Sequence, residues 1–72
     1  MTNTRNATAD DAMQALLTQT TITPDQAARV VGQSGYTVRL AIERGDIASM
    51  RLGRNIRVLS APLRRQLGLE EV

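Results

Sequence analysis

The stretch Thr23–Gly45, TPDQAARVVGQSGYTVRLAIERG, decides the fold. Thr23 suits an N-cap, because its hydroxyl can accept from one of the orphan amides of a helix start. Pro24 suits the first helical position, where its missing N–H is not needed. Gln26 stands three residues after Thr23 and completes a capping box. Ile22 precedes the cap and is placed to pack on Ala27 as a small staple. Ala27, Val30 and Val31 make one apolar face, and Gly32 is a natural stop. The helix these signals predict is too short to stand alone in water and must pack on something. Ser34 then caps a second helix, in which Val38 and Ile42 form a buried stripe with Ala41 beside them; Gly45 ends it. Only Gly32, Gln33 and Ser34 separate the two helices. Two short helices joined by a tight Gly-containing turn are the helix-turn-helix layout.

Downstream the period changes. In Ser49–Leu59, Met50 and Leu52 alternate with Arg51, and Ile56 and Val58 alternate with Arg57. That is strand patterning around a Gly53-Arg54-Asn55 break, expected to be a three-residue hairpin loop. Pairing Leu52 with Ile56 sets Arg51 opposite Arg57, a like-charge cost that a phosphate between them would turn into a binding term. Ser60 is expected to cap a last helix with Pro62 in its first turn. Leu63 and Leu67 are its expected core contacts and Gly68 its stop.

Upstream, seven of the eight Thr lie in residues 1–23. Residues 1–9 are polar and read as a disordered tail. Thr8 and Asp11 read as an N-cap and its N3 acid. Met13, Leu16 and Leu17 give one stripe of a short helix ending near Gln19. That helix would either cover the core or serve as an assembly contact. The expected organisation is an N-terminal tail and short helix over 1–21, a domain over 22–67 and a C-terminal tail over 68–72.

Composition narrows the function. A chain of 72 residues holds one small domain that buries only about 60% of the surface its unfolded form exposes. It has no Cys and no His, which removes disulfides, Cys-ligated zinc and the commonest general base. Its carboxylates are few and dispersed, so it reads as no enzyme, with no catalytic residue, no metal ligand and no cofactor. Its single aromatic, Tyr36, argues against a base-stacking platform for single strands. All nine basic residues are Arg and the net charge is only +2. That small value hides a patch: residues 39–65 carry seven Arg against Glu43 and Asp46, a net +5. A patch of that sign attracts polyanions, and a solvated basic surface fits the charge equally well. The N-terminus has no apolar core of signal-peptide length, and no apolar run is long enough to span a membrane. Cytoplasmic residence and no membrane partner are therefore expected.

The ordered combination of Thr23–Ala28, Val31–Ser34, Thr37-Val38-Arg39, Ile42–Ile47 and Met50–Val58 resembles the excisionase-type winged helix-turn-helix domain. That family is similar in turn to the DNA-binding part of MerR regulators. The resemblance covers residues 22–67. It implies a mostly α fold with a small β-hairpin, here with an N-terminal helical extension. It also implies that the helix from Ser34 lies in the major groove and that the hairpin tip Gly53-Arg54-Asn55 reaches the minor groove. A stand-alone chain of this kind resembles a phage excisionase, or recombination directionality factor. Such proteins bind tandem sites cooperatively and bend double-stranded DNA. They direct a phage integrase toward prophage excision in a bacterial host, and they associate with themselves head to tail. Arg39, Leu40, Ala41 and Glu43 depart from the family's usual residues, so its sequence preference does not carry over.

The candidate contacts follow. Ser34 is an N-cap whose hydroxyl and neighbouring amides could also hold a phosphate. Gly35 allows close backbone approach. Tyr36 and Thr37 sit in the first turn, where recognition helices touch base edges. Alternatively Thr37 completes the cap and Tyr36 packs on the wing. Arg39 faces outward and suits guanine. Leu40 suits a thymine methyl or a neighbouring protomer. Arg44 meets either the helix macrodipole or a phosphate. On the wing, Arg54 suits a narrow minor groove, and Asn55 either supplies a left-handed turn residue or adds a groove hydrogen bond. Arg51 and Arg57 are the phosphate candidates. Arg64 and Arg65 form a solvated face or extend the backbone footprint. A small MerR-like regulator on the same fold is the alternative. The absence of coiled-coil heptads after the domain favours the excisionase reading.

Overall fold

In a computed structural model, residues 4–69 are described, with side chains from Asp11 onward. The order is α1 (Thr4–Thr18), β1 (Thr21–Ile22), α2 (Pro24–Val31), α3 (Gly35–Arg44), β2 (Ser49–Leu52), β3 (Asn55–Leu59) and α4 (Ser60–Gln66). The chain is mostly helical, with one antiparallel sheet of strand order β1-β3-β2.

The central pair of helices forms as its capping signals require. The Gln26 amide donates to Thr23 Oγ1 at 3.0 Å and the Thr23 amide donates to Gln26 Oε1 at 2.9 Å, closing the capping box. Gly32 ends α2 with φ +73°, and its amide donates to the Ala28 carbonyl. Ser34 caps α3 by accepting from the Thr37 amide at 3.1 Å. Gly45 ends α3 with φ +83°. These left-handed stops are open to glycine at no steric cost.

The core is small. Leu16, Ile22, Val38 and Val58 are essentially sealed from solvent. Ala15, Ala27, Ala28 and Leu63 complete the cluster, with Met13, Val30, Val31, Ile42 and Ile47 packed on it.

Several expectations are corrected. Helix α1 begins at Thr4, so Thr8 lies inside it and residues 4–9 are helical; residues 1–3 and 70–72 lie outside the described residues. Its buried stripe is Ala12, Ala15 and Leu16, with Met13 partly buried and Leu17 exposed. Two of those residues belong to the core cluster, so α1 is no separable extension. A boundary after residue 21 would also cut β1, a strand the Thr-rich composition concealed.

The hairpin register is slipped by one. Leu52 pairs with Asn55, Arg51 with Ile56, Met50 with Arg57 and Ser49 with Val58. The connection is therefore the two-residue Gly53-Arg54, with positive φ at Gly53 only, as in a type II′ turn. Directly paired residues share a face, and a slip of one residue exchanges the faces. Arg51 and Arg57 thus lie on opposite sides of the hairpin. Asn55 is a strand residue and supplies no left-handed turn position.

Helix α4 follows β3 without a break. Its N-cap position is Leu59, with no side-chain cap. Ser60 lies inside the helix, fully buried, with no hydrogen-bond partner for its hydroxyl among the described residues. Its amide donates to the Thr20 carbonyl at 3.0 Å, which draws it inward. Leu63 is buried, but Leu67 is 38% exposed. Arg64 Nη1 donates to the Leu16 carbonyl at 2.9 Å. Leu16 lies in the last turn of α1, where carbonyls lack helical partners. No helix among the described residues is long and apolar enough to cross a membrane.

Candidate nucleic-acid interface

Two grooves flank the exposed side of α3. The first lies between α3 and the hairpin and is lined by Arg39, Ile42, Glu43, Ser49, Met50, Arg51 and Ile56. The second lies between the start of α2 and the hairpin, and its lining includes Thr23, Pro24, Asp25, Arg39, Arg54, Asn55 and Arg57. Arg39 belongs to both. The path from sequence to this site is short. Val38 is buried at 2% exposure, so the next residue on the helix must point away from the core. Gly53 makes the tight turn that carries Arg54 at the hairpin tip.

The two grooves bring together Arg39, Arg51, Arg54 and Arg57, four of the seven Arg in the charge patch. Their environments differ. Arg54 and Arg51 are exposed. Arg57 is partly buried; its Nε donates to Thr21 Oγ1 at 3.1 Å and its Nη2 donates to the Thr21 carbonyl at 3.2 Å. It is in part a tie between β3 and β1, and a phosphate clamp between Arg51 and Arg57 is excluded by the register. Asn55 lines the second groove directly after the hairpin turn, where it pairs with Leu52.

The start of α3 stands beside these grooves. Ser34 and Thr37 spend their polar groups on each other: beyond the cap, Ser34 Oγ donates to Thr37 Oγ1 at 3.0 Å. Capping is therefore the structural role of Thr37. Tyr36 is 72% exposed and does not pack on the hairpin. Leu40 is partly buried, which limits what it can offer to a partner. Arg44 is exposed in the last turn of α3 and lines neither groove. Arg64 is partly buried against α1, while Arg65 is exposed.

Three features of the candidate site escaped sequence reading. Asp25 Oδ1 lies 3.8 Å from Arg39 Nη1, an ion pair between successive helices. Gly35 lies beneath this pair: a Cβ there would sit 3.1 Å from Arg39 Nη1 and 3.2 Å from Asp25 Oδ1. Thr21 holds Arg57. The Asp25–Arg39 and Thr21–Arg57 contacts join residues distant along the chain and leave no periodic signature. Gly35 lies one helical turn before Arg39, but its nearness to Asp25 is equally unrecorded in the spacing. Only the acid in the first turn of α2 offered a hint, and it reads there as a helix-dipole residue. No protein-family model, curated protein or solved structure matches this chain.

Proposed function

We propose that this chain is a winged helix-turn-helix protein that binds double-stranded DNA as an architectural factor of excisionase type. In this reading α3 is the recognition helix, β2 and β3 form the wing, and the protein has no catalysis of its own. The observation that carries it is the convergence of Arg39, Arg51, Arg54 and Arg57 on two grooves beside the exposed face of α3. Arg39 enters the major groove and addresses a guanine edge. Arg54 enters the adjacent minor groove, where a narrow groove concentrates negative potential. Arg51 and the ring of amides behind Ser34 meet phosphates. Arg57, held by Thr21, presents a pre-oriented guanidinium on the wing's other side.

The biological role is assembly on DNA in the cytoplasm of a bacterial host: tandem, head-to-tail binding, bending, and recruitment of a phage integrase toward excision. The four Arg belong to separate elements, so their joint use depends on DNA that follows both helix and wing. A titration against a long duplex carrying an attachment region, read by gel shift and footprinting, tests this. A ladder of regularly spaced complexes is the expected result. One complex over a palindrome would instead assign a two-fold repressor, and absence of salt-dependent binding would remove DNA from the function altogether.

A further inference from the structure

We infer that Asp25 is a specificity-determining positioning residue, which steers Arg39 toward a base edge and disfavours DNA bound by its backbone alone. The inference rests on the DNA-binding reading above and deepens it.

The Asp25–Arg39 side chains are 68% and 55% exposed. An ion pair that exposed contributes little to stability, so folding does not explain it. Gly35 points to a local purpose. It stands at the first position of α3 and is not among the glycines with positive φ. Glycine is the poorest helix former after proline, and the backbone there does not require it. What its missing Cβ does provide is room for the Arg39 guanidinium and the Asp25 carboxylate to come together over the helix start.

The separation of the pair also matters. At 3.8 Å it is an electrostatic attraction rather than a hydrogen bond. The carboxylate therefore orients the guanidinium without occupying a donor, and Arg39 keeps its N–H groups for a bidentate bond to guanine O6 and N7. A phosphate in the same place meets the negative charge of Asp25 as well as the positive charge of Arg39. Repulsion of the wrong partner is a standard means to specificity. Arg39 lines both grooves while Asp25 lines only the second, so the attraction biases the side chain toward one of two available directions.

The test uses the full chain, as wild type and as Asp25→Asn, Asp25→Glu, Gly35→Ala and Arg39→Ala. Each is selected against a duplex library with a randomised centre, and its affinity for a random-sequence duplex is measured over a salt series. The wild type should enrich a guanine that Arg39→Ala does not. In Asp25→Asn, preference for that guanine should fall by roughly tenfold, within the range of one bidentate base contact. Affinity for the random duplex should rise by about threefold as a repelling charge is lost. Gly35→Ala should move the guanine preference in the same direction, and Asp25→Glu should keep most of it. Unchanged guanine preference and unchanged random-duplex affinity in Asp25→Asn would overturn the inference while leaving DNA binding intact. A wild-type chain with no salt-dependent binding to any duplex would overturn both.

Discussion

Arg57 ties the hairpin to β1 by two hydrogen bonds to Thr21, a residue 36 positions earlier, at 3.1 and 3.2 Å. The same side chain lines the groove beside α2. One Arg thus serves the fold and lines the candidate interface, whereas its neighbour in the pattern, Arg51, is exposed and lines the other groove.

That difference is measurable. Hydrogen bonds from a charged donor contribute about 1.5–3 kcal/mol when buried, and less at this partial exposure. Arg57→Ala should cost about 1 kcal/mol, lowering Tm by roughly 4–8 °C in a domain this small. Arg51→Ala, at an exposed site, should stay within about 0.5 kcal/mol of wild type. Thermal unfolding followed by circular dichroism reads both. Equal melting of the two variants would show that the Thr21 tie carries no stability.

Arg54 at the hairpin tip has no packing role, so its loss should leave the fold untouched. Arg54→Ala should weaken DNA binding and reduce the slope of log K against log salt by about 0.9, the signature of one released counterion. An unchanged slope would take the tip off the DNA.

Helix α1 is part of the core, and truncation should show it. Leu16 is fully buried and its carbonyl receives Arg64. Leu16→Ala should cost about 2–5 kcal/mol. Removal of residues 1–21, which takes Ala12, Ala15, Leu16 and half of β1, should abolish the cooperative melting transition. A truncated chain that melted like the full one would restore the view of α1 as an appendage.

Ser60 offers a gain. Its hydroxyl is buried without a partner among the described residues, and an unsatisfied buried polar group costs about 1–3 kcal/mol. Ser60→Ala removes that group with almost no change of volume. It should raise stability by about 1 kcal/mol, seen as a higher Tm; a lower Tm would mean that the hydroxyl is satisfied after all.

The sequence by itself determined the central helical pair. The capping box of Thr23 and Gln26, the Ser34 cap and the stops at Gly32 and Gly45 all work through hydrogen bonds that close within about five residues, so local chemistry suffices. It also determined that Arg39 faces out, because the helical period fixes its side once Val38 is buried. Tertiary structure decided the rest. The hairpin register depended on whether Gly53-Arg54 or the longer Gly53-Arg54-Asn55 loop turned the chain, and apolar residues at Met50 and Leu52 favoured the wrong choice by matching Ile56 and Val58. The folded sheet instead pairs Val58 with Ser49 on one side and Ile22 on the other, burying Val58 and leaving Met50 and Leu52 40% and 55% exposed. The partners of Asp25, Thr21, Ser60 and Arg64 were likewise invisible. Such contacts form between segments brought together only by closure of the core, and no spacing along the chain records them.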